Sequence, residues 1–187
     1  MLFPRSRLRR LRLHPAIRDL VAETRLSPKD FILPLFAVRG KDVAEPVESM
    51  PGVFRLSADR AVTEAREARA AGVGAVLIFG AATRKDERAS DAYSPDGVAQ
   101  QTIRAIKETL GEEVAVFTDV CLCSYTTHGH CGIVTNGGTI DNDASLKVLA
   151  QTALSHAKAG ADIVAPSDMM DGRIGAIRKR LDEEGFH

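Results

Sequence analysis

The sequence predicts an α/β fold whose parallel strands are joined by crossover helices, repeating as half of a (β/α) barrel would. Three observations carry this. From residue 31 onward, short apolar runs alternate with amphipathic helical stretches, the rhythm of βαβ units. The runs are nearly free of charge, as strands buried on both faces are. The units recur at roughly 40 residues, the spacing of a (β/α) barrel. Ala71-Gly72 leads into Val73 and Ala159-Gly160 into Ala161, an internal echo at the helix-to-strand joints.

Residues 1–27 stand apart as an arm, with 28–187 as the domain that holds the repeats. In the arm Arg5, Arg7, Arg9, Arg10 and Arg12 alternate with Leu8, Leu11 and Leu13 before Pro15, with no long helical period. That pattern suits an extended segment lying on another subunit. Contact with nucleic acid or lipid is the competing reading, and a mitochondrial presequence a third, which Asp19 and Glu23 disfavour.

The first strand is expected over Phe31–Val38, with Pro34 awkward at its centre because proline cannot donate to a ladder. Ser57 is placed to cap a helix running through Glu64 and Ala68 to a stop at Gly72, followed by a strand over Val73–Phe79. A third strand is expected over Val114–Val120. Asp143 is placed to cap a helix with Leu146, Leu149, Ala150, Ala153 and Ala157 on its apolar face, ending at Gly160. Ala161–Ala165 is the fourth strand, and Asp171–Leu181 the last helix. A doubly wound nucleotide-binding sheet is disfavoured, because Gly72-Val73-Gly74 precedes a strand instead of opening a helix. The chain stops where a fifth strand should begin, which reads as truncation.

Composition narrows the partners. With 187 residues, 44% of them hydrophobic, the chain can bury a sizeable core. Lys plus Arg equals Asp plus Glu at 25 each, so no overall field recruits nucleic acid or anionic lipid. No apolar run approaches the roughly 20 residues of a membrane span. A cytoplasmic location is expected.

All three cysteines, Cys121, Cys123 and Cys131, fall in one short loop directly after the Val114–Val120 run. Three soft thiolates suit a divalent ion such as zinc, and three protein ligands leave a position open for water or substrate. Two alternatives stand beside this: a disulfide with a spare thiol, and a closed structural site with His128 or His130 as fourth ligand. An odd count in a chain without a secretory leader fits an oxidising compartment badly. An iron-sulfur cluster would want a fourth cysteine.

The run Thr118-Asp119-Val120-Cys121-Leu122-Cys123-Ser124-Tyr125-Thr126-Thr127-His128-Gly129-His130-Cys131-Gly132, followed by Ala165-Pro166-Ser167-Asp168-Met169-Met170-Asp171-Gly172-Arg173, resembles the porphobilinogen synthase (5-aminolevulinate dehydratase) family. Arg9-Arg10-Leu11-Arg12, Leu20-Val21-Ala22-Glu23-Thr24, Pro34-Leu35-Phe36, Glu48-Ser49-Met50-Pro51-Gly52 and Lys85-Asp86-Glu87 extend the resemblance over the whole chain.

The resemblance implies a (β/α)8 TIM barrel, of which this chain holds the arm and about four units. It further implies an arm that wraps a neighbour within a homo-octamer, and condensation of two 5-aminolevulinate molecules to porphobilinogen with loss of water, toward haem and other tetrapyrroles. Keeping all three cysteines, the chain is similar to the zinc-dependent type, with Cys121, Cys123 and Cys131 as ligands. Asp119 is similar to the active-site aspartate, and Ser167 and Asp168 end the fourth strand on the same barrel face, Ser167 as a supporting site residue and Asp168 either in the site or capping a helix from Met169 onward. His128 and His130 are expected to support the loop. The family's two Schiff-base lysines, and any additional magnesium site, lie outside this chain, so the chain alone is expected to be inactive. The alternative is a non-catalytic product that binds zinc or docks on a full-length partner.

Overall fold

The computed structural model describes residues 3–187. Helix α1 (Pro15–Leu20) precedes strand β1 (Ile32–Ala37), a short hairpin of β2 (Ala44–Pro46) and β3 (Phe54–Leu56), and helix α2 (Ala58–Ala70). Then come β4 (Ala75–Gly80), α3 (Val98–Leu110), β5 (Ala115–Val120), a hairpin of β6 (Ile133–Val134) and β7 (Ile140–Asp141), α4 (Asn142–Ala159), β8 (Ile163–Pro166) and α5 (Arg173–Glu183). The six-stranded sheet runs β2-β3-β1-β4-β5-β8, parallel except for the β2–β3 pair. Thus β1, β4, β5 and β8 are four successive barrel strands with α2, α3 and α4 as crossovers, as the repeat predicts.

The strands are not buried on both faces. Leu35 and Ala37, Val76 and Ile78, and Val116 and Val120 alternate with more exposed neighbours. One face packs under helices, where Val62, Ala65, Ile103 and Ile106 join the core. The other faces the barrel interior, where Phe36 and Phe79 stack with ring centroids 5.4 Å apart. Charge-free runs therefore mark an apolar interior wall as well as a helix-covered one. Pro34 is tolerated because β3 pairs with β1 only at Phe36 and Ala37, leaving the edge beside Pro34 without a ladder.

Several local expectations are corrected. The arm is not extended: Leu8–Arg12 form a 3-10 turn and α1 starts with Pro15, whose fixed φ suits a first helical position. Its leucines Leu8, Leu11 and Leu13 are exposed. Ser57 sits at the start of α2 but spends its hydroxyl on Asp59 Oδ1 at 2.6 Å and accepts from Val43 N–H, tying the hairpin to the helix. The cap of α4 is Asp141, accepting from Ala144 N–H at 2.9 Å, two residues before the expected Asp143. Helix α5 starts at Arg173 and not at Asp171, after Gly172 with φ 80°. Helix α3 and both hairpins have no counterpart in the sequence reading.

His156 fastens α4 to β5 from behind the site. It is 1% exposed, its Nδ1 lies 3.0 Å from Thr118 Oγ1, and its Nε2 is buried without a partner. Burial holds its pKa down to about 4, against an ordinary 6.5. The unfolded chain therefore takes up a proton that the folded chain refuses. Stability is complete above pH 6.5 and falls as the pH drops toward 4, by roughly 3 kcal/mol in all. Melting temperatures measured across that window should fall with pH, and His156→Gln should flatten the slope; an unchanged slope in the variant would refute this.

Candidate active site and metal centre

Strand β5 delivers the site to its C-terminal end, the face where barrels place their chemistry. Asp119 is its penultimate residue and Cys121 follows its last. Leu122, fully buried between two thiols, pins the loop to the core that also holds Tyr125, Leu149 and Met170. Its carbonyl accepts from Tyr125 N–H at 2.9 Å and Thr126 N–H at 3.0 Å, and Thr126 Oγ1 donates to His130 carbonyl at 3.0 Å. The loop thus doubles back and returns Cys131 to the first two cysteines.

The three sulfurs lie within 4.8 Å of one another, with Cys121 and Cys123 Sγ 3.4 Å apart. All three thiols are free, and 3.4 Å is well beyond the about 2.05 Å of a disulfide bond. Three thiolates around an ion at roughly 2.3 Å would stand about 3.8 Å apart, so the donor set fits a thiophilic divalent cation with its fourth position open. Burial, ahead of the neighbouring thiols, pushes the Cys121 thiol well above its usual range, and burial likewise raises Cys131. A bound dication reverses that balance, since a coordinating thiol is deprotonated outright. Neither histidine joins the cluster: His128 Nδ1 accepts from His130 N–H at 3.1 Å and their rings stand 5.4 Å apart. The closed structural site is not what this geometry offers.

Beside the thiols, Ser167 Oγ donates to Asp119 Oδ1 at 2.6 Å. The contact follows from sheet register, because β5 and β8 pair Asp119 with Ala165 and Ser167 N–H reaches Val120 carbonyl. Burial raises the Asp119 pKa, opposed by the Ser167 hydrogen bond and assisted by the charge of Asp168. Such a carboxyl is suited to holding and passing a proton. Asp168 is buried, and its Oδ1 accepts from Met170 N–H at 2.7 Å instead of capping α5.

The loop after β4 closes over the thiol loop. Asp86 N–H donates to Tyr125 carbonyl, Thr127 N–H to Asp86 carbonyl, and Asp86 Oδ1 accepts from Arg88 and Ser90 N–H. A cavity of about 280 Å³ opens here, lined by Phe36, Phe79, Arg55, Lys85 and Ser124. Larger hollows lie at the β8 edge and along the arm, away from these groups.

Sequence reasoning missed the role of Tyr125, whose buried phenol lies over Gly80 at the end of β4; only a glycine ending an apolar run hinted at a close approach. A methyl at Gly80 would meet Tyr125 Oη at 2.5 Å and Ala99 Cβ at 2.9 Å. Gly80→Ala should therefore destabilise the fold by about 1–3 kcal/mol through overpacking. Denaturant unfolding measures this, and a loss below about 0.5 kcal/mol would show that the neighbours yield.

Parallel strands with crossover helices, and a thiol cluster beside a carboxyl at their C-terminal mouth, define a (β/α)-barrel protein with a candidate metal centre. Residues 5–187 match the family model for delta-aminolevulinic acid dehydratase. The delta-aminolevulinic acid dehydratase of Methanothermobacter thermautotrophicus is 54% identical over 188 residues, covering 100% of this chain and 57% of that protein. That of Bacillus subtilis is 50% identical over 97% of this chain and 55% of its own length. The crystal structure of delta-aminolevulinic acid dehydratase (porphobilinogen synthase) from Toxoplasma gondii ME49, in complex with the reaction product porphobilinogen, superposes with a TM-score of 0.92 at 40% identity. It covers all of this chain and 53% of that one. The chain belongs to the delta-aminolevulinic acid dehydratase family, and it spans about half the length of these relatives.

Proposed function

We propose that this chain supplies the metal-bearing half of a porphobilinogen synthase, a lyase that joins two 5-aminolevulinate molecules into porphobilinogen with loss of water. The observation that carries the proposal is the thiol cluster standing at the same strand ends as the Asp119–Ser167 pair. Cys121, Cys123 and Cys131 would hold zinc, which when bound supplies Lewis-acid polarisation of a substrate carbonyl at its open position. Asp119 orients a substrate amine and moves its proton, with Ser167 fixing the carboxyl's rotamer. The Phe36–Phe79 wall excludes water from the interior side.

The imine-forming lysines belong to the length of the relatives that this chain does not span, so turnover requires that length. The arm carries Leu8, Leu11, Leu13, Leu20 and Leu26 exposed, which suits burial on a neighbouring subunit, consistent with a homo-octamer. Among the described residues no helix is long and apolar enough to cross a membrane. Three unbridged thiols suit a reducing cytoplasm.

The test is porphobilinogen formation by a protein extended to the length of the relatives, before and after chelation and after zinc is restored. Activity that chelation abolishes and zinc restores supports the reading. Absence of porphobilinogen from a folded, zinc-loaded protein overturns it.

A further inference from the structure

Behind the thiol loop lies a pair of groups that neither metal ligation nor the Asp119–Ser167 contact uses. The Asp168 side chain has no solvent exposure, yet its Oδ2 has no hydrogen-bond partner. Arg173 Nε stands 3.5 Å from that oxygen, close enough for ion pairing but not hydrogen-bonded, and is itself buried without a partner. A buried carboxylate left half-satisfied is costly, by about 1–3 kcal/mol or more for a charged group. Something in the arrangement must make the pair worth retaining.

The pair's remaining contacts converge on one residue. Asp168 Oδ1 accepts from Met170 N–H at 2.7 Å, and Arg173 Nη1 donates to Met170 carbonyl at 3.0 Å. Both polar groups of the Met170 backbone are thereby fixed, and its side chain, 2% exposed, enters the core beside Leu122 and Ile133. Leu122 separates the first two thiols, and Ile133 follows the third by two residues. Gly132, adjacent to Cys131, sits in a cage: a Cβ there would stand 2.7 Å from Ser145 Oγ, 2.8 Å from Ile140 Cγ2 and 3.0 Å from Met170 Cε. Ser145 in turn accepts from Ile133 N–H at 2.8 Å. The chain at Cys131 therefore rests on Met170, and Met170 rests on the Asp168–Arg173 pair.

We propose that Asp168 and Arg173 are positioning residues for the third metal-binding thiol, holding Cys131 in register with Cys121 and Cys123 through Met170 and Gly132. Asp168 is not itself a ligand, because the cluster within mutual reach comprises the three cysteines alone among the described residues. Its charge also reaches Cys131, where it is a minor cause of the raised thiol pKa after burial. The inference rests on the metal reading above and adds to it what places the ligand contributed from the far side of the loop.

The test titrates the 187-residue chain anaerobically with Co²⁺, whose thiolate-to-metal charge-transfer absorption per bound ion reports how many thiolates coordinate. Wild type should give a three-thiolate signal and Cys131→Ala a two-thiolate reference. Asp168→Asn should fall to that reference, with a dissociation constant raised about 10- to 100-fold, the range seen when support behind a ligand is lost. Arg173→Gln should move the same way and serves if Asp168→Asn fails to fold. In the Cys131→Ala background, Asp168→Asn should cost no further affinity, because its effect runs through that thiol. A three-thiolate signal at unchanged affinity in both folded variants would overturn the proposal, as would an equal loss with Cys131 already gone. A wild-type chain without the three-thiolate signal would overturn the metal reading together with it.

Discussion

Cys123→Ala should weaken metal binding until zinc no longer survives dialysis and, in a protein of the relatives' length, abolish porphobilinogen formation. Cys123 and Cys121 present their sulfurs 3.4 Å apart from either side of the buried Leu122, so each is already placed for an ion that the other holds. Removing a group that merely supports a ligand costs about 10- to 100-fold in affinity. Removing the ligand itself should exceed that, since two thiolates cannot enclose the ion as three do. Metal analysis after dialysis should find about one zinc per wild-type chain and close to none in the variant. Retention of zinc, or turnover in metal-free buffer, would show the cluster to be dispensable. His128→Ala is the contrasting case: its imidazole lies outside the cluster and serves the loop by accepting from His130 N–H, so zinc content should stay nearly unchanged.

Much of this architecture is legible in the sequence because burial writes it there. The apolar runs at β4, β5 and β8 are readable to within two residues, since strands inside a barrel are nearly free of charge, Asp119 at the mouth of β5 being the exception in these three. The thiol loop is legible because three cysteines in 11 residues of sequence have few other uses, and because it directly follows a strand. Less visible is whatever depends on a partner far along the chain. Asp168 reads equally well as a cap or as a site residue until Met170 and Arg173 are seen to surround it. Gly80 gives no sign that Tyr125 will lie on it. The true cap of α4 hid among Asp141, Asn142 and Asp143, where only geometry separates residues of nearly equal capping propensity. Helix α3 escaped notice although Ile103 and Ile106 are fully buried, because Gly97 at its cap gives a weaker start signal than a side-chain oxygen.

The chain as it stands should form no covalent adduct when incubated with 5-aminolevulinate and borohydride. Imine formation needs an unprotonated amine held beside the substrate carbonyl, which enzymes arrange by desolvating a lysine or setting it next to another cation. None of the seven lysines meets that condition. Lys29, Lys41, Lys85, Lys147, Lys158 and Lys179 are exposed, and the half-buried Lys107 is ion-paired with Asp162 at 3.0 Å. Lys158 pairs with Glu184 at 2.8 Å. None lies on a strand or at the mouth beside Asp119, and the nearest to the thiol loop, Lys85, sits on the rim of the cavity lined by Phe36 and Phe79. Intact-mass spectrometry should therefore show only the unmodified chain, whereas a protein of the relatives' length should be trapped at a lysine outside these seven. A specific reduced adduct on Lys85 would locate imine chemistry within this half of the barrel, and the division of labour proposed here, metal on one half and amine on the other, would fail.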